Sequence, residues 1–208
     1  PQSKIGGPYI TEVDGTKHEV YLLETRFRNL SYAAPLALEM TPIVDGREQE
    51  TELVLIGDLT QFGPPEVAES LLKLAKAANV PTFAVPGNCD PKPILHVLDS
   101  YGVNLHGKCE KLGDITFGGL GGSNLTPFNT PFELTEVEIQ EELATLPCSG
   151  DSKLVLVTHA PPYGTKLDHI QAGTNVGSKS IRQFIEQKQP LISICGHVHE
   201  ARGIDEIG

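Results

Sequence analysis

Four apolar runs in this chain end in the same way. Leu53-Val-Leu-Ile-Gly leads into Asp58, Thr82-Phe-Ala-Val-Pro-Gly into Asn88, and Leu154-Val-Leu-Val-Thr into His159. Ile192-Ser-Ile-Cys-Gly leads into His197, with His199 two residues later. A short apolar run closed by turn residues reads as a strand, and continuous apolarity reads as a strand covered on both faces. Between these runs lie helical patterns. Pro64–Asn79 carries Val67, Leu71, Leu74, Ala75 and Ala78 on one face, and Pro91–Tyr101 turns Ile94, Leu95 and Leu98 inward. Thr135–Leu146 opens with a capping box, Thr135 and Glu138, and Ser180–Gln187 forms a further helix. Shorter strands are expected around Val103–Leu105, Lys108–Leu112 and Ile115–Gly118. Alternating strands and helices predict layered α/β architecture, a central β-sandwich with helices outside. The core expected on this reading comprises Leu53, Leu55, Leu71, Leu74, Val85, Leu95, Leu154, Leu156, Ile185, Ile192 and Ile194.

The strand ends carry the chemistry. In α/β sheets ligands gather at the carboxyl ends of strands. Glycine precedes three of the four turn residues, which permits tight bends and close backbone approach. Taken singly, each motif has a bland explanation. Gly-Asp and Gly-Asn are common turns, and a histidine at a strand end is often a satisfied core residue. His197 and His199, at i and i+2 of an extended segment, point to one side, though a solvated loop would also accept them. All four at matching positions are a different matter: if the strands are neighbours, Asp58, Asn88, His159, His197 and His199 converge. A carboxylate, an amide oxygen and imidazoles suit Mn, Fe, Co, Ni or Zn better than Ca or Mg.

Charge and cysteine usage narrow the classes further. A net charge of −11 opposes binding to a phosphate backbone at long range, so nucleic-acid binding is not expected. A small phosphorylated substrate stays open, because a bound cation reverses the local field. No apolar run reaches the ~20 residues of a membrane span, and Pro1–Gly7 lacks the apolar core of a signal peptide. A cytoplasmic address follows as the expectation. Cys89, Cys109, Cys148 and Cys195 form no C-x-x-C pair and are expected to be reduced thiols, mostly core filler.

Gly57-Asp58, Gly87-Asn88-Cys89-Asp90, Thr158-His159-Ala160-Pro161-Pro162 and Gly196-His197-Val198-His199 resemble the successive motifs of calcineurin-like metallophosphoesterases. The resemblance covers residues 53–208 and implies a layered α/β/β/α sandwich. It implies two divalent ions, with Asp58 bridging them, Asn88, His159 and His197 completing the second site, and His199 belonging to the first. It further implies that a bridging hydroxide attacks phosphorus in a phosphodiester or small phosphomonoester, and it assigns the catalytic segment to Asn88, Cys89 and Asp90. The family usually has a histidine after the asparagine to protonate the leaving group. Cys89 stands there, and a neutral thiol imitates an imidazolium poorly.

Residues 1–52 depart from that family. Its opening Asp-x-His motif is missing ahead of Asp58: Asp14-Gly-Thr-Lys-His18 has the residue types at the wrong spacing. One ion instead of two is the corresponding expectation, and with it a catalytically impaired fold that binds a metal or a phosphorylated ligand. Lys4-Ile-Gly-Gly-Pro, Glu12-Val-Asp-Gly-Thr-Lys-His and the stretch Leu23–Met40 resemble part of the second-largest subunit of archaeal-type RNA polymerase. The chain therefore reads as a junction near residue 52, compatible with a natural fusion, a misassembled gene or an artificial joining. Short strands at Tyr9–Val13 and His18–Leu23 and a helix around Glu24–Tyr32 are expected there. Family members continue past Gly-His-x-His into further strands. An unpaired sheet edge, where the family's first strand would lie, would favour a homo-oligomer.

Overall fold

The structure is a computed structural model that describes residues 53–77, 79–151 and 153–207 in full, and the backbone of 4–13, 16–24, 43–44 and 47–48. The expected helix around Glu24–Tyr32 and the junction near residue 52 fall outside the described residues. The chain divides into two compact units, Pro1–Leu38 and Glu39–Gly208.

In the first unit, β1 (Lys4–Val13) and β2 (Thr16–Glu24) pair antiparallel. The register slips between Gly6 and Tyr9, across Gly7 and Pro8. Pro8 has no N–H to give a ladder, so the slip falls where the hairpin loses least.

The second unit begins with a small antiparallel pair, β3 (Ile43–Val44) and β4 (Arg47–Glu48). The α/β layers follow. β5 (Leu53–Ile56) and β6 (Thr82–Val85) form a parallel pair joined through α1 (Val67–Ala77). After α2 (Ile94–Ser100) come β7 (Cys109–Leu112) and β8 (Ile115–Leu120). A short parallel pair, β9 (Ser123–Asn124) and β10 (Glu133–Leu134), precedes α3 (Glu136–Thr145). Then follow β11 (Leu154–Thr158), α4 (Lys179–Lys188) and β12 (Ile192–Cys195). The larger sheet has the order β12-β11-β8-β7, parallel except for the β7–β8 hairpin.

Side-chain alternation assembles these into four layers. Val54, Ile56, Phe83 and Val85 of the small sheet meet Phe117, Val155, Val157 and Ile194 of the large one. Phe83 stacks on Phe117 with ring centroids 4.6 Å apart. The opposite residues face outward. Leu55 and Ala84 pack with Ala68, Leu72, Ile94 and Leu98 of α1 and α2, while Leu154 and Leu156 pack with Ile139, Leu143, Ile181 and Phe184 of α3 and α4. The period of two in each strand places one set between the sheets and the other under helices, which is the α/β/β/α sandwich.

Four expectations need correction. The buried residues of α1 are Ala68, Leu72 and Ala75; of the predicted stripe Ala75 is buried, Val67 and Leu71 are half-buried, and Leu74 is exposed. The α1 sequence is apolar on both stripes, and the small Ala68 beside Leu72 lets the helix pack with Ala84. β5 and β12 are only half-buried, and among the described residues each has one hydrogen-bonded neighbour in its sheet. The strand expected at 103–105 is reduced to a single bridge between Ala84 and Asn104. Lastly, Cys109 and Cys148 are joined in a disulfide that fastens β7 to the turn after α3, leaving Cys89 and Cys195 free. The Cα atoms are 6.0 Å apart, the separation a disulfide needs.

Candidate metal centre

The four strand ends meet across the two sheets. His159 follows β11 and is 2% exposed. Its Nδ1 lies 2.9 Å from the carbonyl of Ile56, the last residue of β5. Only a protonated Nδ1 makes that bond, so in the neutral ring Nε2 keeps its lone pair. That lone pair faces Asn88 Oδ1 at 3.0 Å and Asp58 Oδ1 at 3.5 Å. Gly196, closing β12, donates its N–H to the His159 carbonyl, which brings His197 alongside with ring centroids 5.1 Å apart.

Two glycines make the approach possible. A Cβ on Gly57 would stand 2.1 Å from His159 Nδ1, far inside van der Waals contact, and one on Gly87 would collide with the Asp58 carboxylate and amide. Asp58 and His197 themselves have φ of 54° and 68°. Left-handed backbone is uncommon for such residues and persists where the surroundings impose it, often at functional sites.

Asp90 is fully buried, and its carboxylate accepts four hydrogen bonds. Thr60 N and Oγ1 donate to Oδ1 at 2.7 and 2.8 Å, and Leu59 N and Gly87 N donate to Oδ2 at 3.0 and 2.8 Å. It therefore joins the loop bearing Asp58 to the loop bearing Asn88. Cys89 uses its main-chain N–H to hold Asp58 Oδ1 at 2.9 Å. Burial, reinforced by the Asp58 charge, pushes the Cys89 thiol up to about 12, so it stays protonated at neutral pH.

Asn88 is oriented from its other end. Its Nδ2 donates to Thr130 Oγ1 at 3.0 Å, and that hydroxyl donates to Glu133 Oε1 at 2.6 Å. Glu133 also accepts from Thr126 Oγ1 and Thr130 N. Burial opposes its charge, but these hydrogen bonds prevail and hold its carboxyl down to about 2. No sequence pattern pointed to Thr60, Thr130 or Glu133, because Thr60 meets Asp90, and Thr130 meets Asn88, only through contacts between distant segments.

Burial lowers His197 to about 4, with His159 adding repulsion. A neutral imidazole is the form that ligates a metal. His199 is exposed and near enough to oppose protonation of His197.

These donors fit one divalent ion in chemistry. Acceptors of three kinds face one another, and either a second ring proton or a cation between them makes the contact favourable. Among the described residues, no three His, Cys, Asp or Glu side chains already form a metal cage. The amide oxygen of Asn88 is the third converging donor. A cleft of about 500 Å³ lined by Lys166, His169, Glu200, Arg202 and Asp205 adjoins the segment after His199; Lys166 and Asp205 pair there at 3.1 Å.

Comparison with known proteins bears on the family and the fold. An uncharacterised protein of Methanocaldococcus jannaschii is 45% identical over 161 residues, spanning 75% of this chain and 72% of that protein. The crystal structure of TT1561 of Thermus thermophilus superposes with a TM-score of 0.55 at 17% identity, covering 69% of this chain and 68% of that one. Another solved structure gives a TM-score of 0.58 at 21% identity; this chain spans 60% of it. Such identities speak for the fold alone. The N-terminal segment is similar to DNA-directed RNA polymerase subunit Rpo2N of Methanocaldococcus jannaschii, 48% identical over 60 residues, which is 27% of this chain but 12% of that subunit. The family model for calcineurin-like phosphoesterases matches residues 35–201, a span that contains all four strand ends, and by that match and the archaeal relative this chain belongs to the calcineurin-like phosphoesterase family.

Proposed function

We propose that this chain hydrolyses a phosphodiester or small phosphomonoester with a divalent transition ion held by Asp58, Asn88, His159 and His197. The observation that carries the reading is the convergence of Asp58 Oδ1, Asn88 Oδ1 and His159 Nε2 within 3.0–3.5 Å, acceptor against acceptor. A divalent ion in this place would neutralise charge on phosphoryl oxygens and acidify a water for attack on phosphorus. The chain's own residues prepare that chemistry. Cys89 N–H fixes the Asp58 carboxylate, the Ile56 carbonyl sets the His159 ring, and Asp90 holds the two loops in register. The Cys89 thiol, at about 12, is a weak acid, which favours substrates whose leaving group needs little protonation.

A second reading has its own support: a fold that binds one ion or a phosphorylated ligand without turnover. One donor set converges among the described residues, and Cys89 replaces the family's usual histidine. Manganese content after loading and desalting, measured beside hydrolysis of bis(nitrophenyl) phosphate, separates the two. Hydrolysis that needs manganese and disappears in Asp58→Ala is the expected result. A bound ion without turnover would transfer the case to the second reading, and full activity in Asp58→Ala would refute the site.

A further inference from the structure

We infer that Thr130 and Glu133 are positioning residues for the metal centre, acting through Asn88. This rests on the reading of Asn88 as a ligand and extends it to a loop outside the four strand ends.

Counting protons gives the direction of the amide. A side-chain amide has two chemically different ends, and only its oxygen is useful to a cation. Which end faces His159 must be decided by something on the far side. An ionised carboxylate has no proton to donate, so Glu133 Oε1 can only accept. It takes the single hydroxyl proton of Thr130, at 2.6 Å. Thr130 Oγ1 then has lone pairs alone to offer Asn88, at 3.0 Å. The group that answers a lone pair is the amide nitrogen, and Oδ1 is consequently turned toward His159 Nε2. Reversing the amide would set Asn88 Oδ1 against Thr130 Oγ1, acceptor on acceptor.

The loop is built to keep this direction. Glu133 Oε1 also receives Thr130 N at 2.8 Å and Thr126 Oγ1 at 2.5 Å, so the threonine is held by backbone and side chain together. Phe132 N donates to the Asn88 carbonyl at 3.0 Å, fixing the same loop against the ligand's main chain. Groups that orient metal ligands from behind typically change metal affinity 10- to 100-fold when removed.

The test measures manganese binding to the metal-free full chain by titration calorimetry, with no substrate present. Thr130→Val removes the hydroxyl at nearly constant shape, and Thr130→Ser restores it. Thr130→Val should weaken manganese binding by about tenfold or more, and Thr130→Ser should bind as the parent does. In an Asn88→Ala background, Thr130→Val should cause no further loss, because the residue acts through the missing amide. A loss that persists in that background would show a general structural role and overturn the inference. Weakened binding in Asn88→Ala beside unchanged binding in Thr130→Val would overturn the inference and leave the site standing. Unchanged binding in Asn88→Ala would overturn the ligand reading and the inference with it. Melting of each metal-free variant, compared with the parent, checks that affinity and not folding has moved.

Discussion

Asp90→Asn separates a structural carboxylate from a reacting one. The substitution keeps the shape but replaces one oxygen by an amide. Of the four donors now held, Thr60 N and Oγ1 share one oxygen and Leu59 N and Gly87 N share the other. An NH2 group toward Leu59 N and Gly87 N strands two donors, whereas one toward Thr60 strands the Thr60 N–H alone, because the Thr60 hydroxyl can turn and accept; the second orientation is the less costly in this fully buried site. A hydrogen bond to a charged acceptor contributes about 1.5–3 kcal/mol, so losing one costs about 1.5–3 kcal/mol. That is a large part of the ~5–15 kcal/mol by which a domain is usually stable. For a chain of this size the melting temperature should fall by roughly 3–12 °C. The assay is thermal unfolding followed by circular dichroism on metal-free protein, so that ion binding does not mask the change. A variant that melts within about 2 °C of the parent, yet has lost hydrolysis, would refute the reasoning and make Asp90 a participant in the reaction.

Two further outcomes follow from the same geometry. Cys148→Ser opens a link spanning a sequence separation of 39 and should cost up to about 4 kcal/mol by chain entropy, read as an earlier denaturation midpoint; an unchanged midpoint would mean the crosslink does not constrain the unfolded chain. His197 is held down to about 4 from an ordinary value of 6.5, so between those values the unfolded chain binds the proton and the folded chain does not. Stability of the metal-free protein should therefore fall as pH drops through that window, by about 1–2 kcal/mol at about pH 5, and level off below 4; His197→Asn should flatten this part of a urea-denaturation profile, and an equal slope in both proteins would contradict the assignment.

The strand ends were legible because burial leaves its mark in order along the chain. Leu53–Ile56, Thr82–Val85, Leu154–Thr158 and Ile192–Cys195 are all strands, and each is followed by its polar turn residue. The Thr135 capping box was legible for the same reason, since both partners lie within one turn. What escaped depends on distance in sequence. The α1 pattern contains two apolar stripes, and only packing with Ala84 and Ile94 selects Ala68 and Leu72. The Cys109–Cys148 bond needs β7 and the end of α3 to be neighbours, which spacing does not encode. Asp90 reads from its motif as part of the chemistry, yet its partners Leu59 and Thr60 lie about thirty residues away on another loop. Glu133 carries no motif at all, and its importance emerges only when protons are counted around Asn88.

The His159 ring bears on more than ligation. Its Nδ1 is fastened to the end of β5 in the small sheet, while its own strand, β11, is the inner strand of the large one beside β12. Half-buried β5 pairs along its length with β6, its one strand neighbour among the described residues. A cation engaging Nε2 together with Asp58 would thus act as a rivet between the two sheets. Amide protons of β5 and β6 would then exchange with solvent more slowly in the loaded protein, far beyond the few residues that touch the ion.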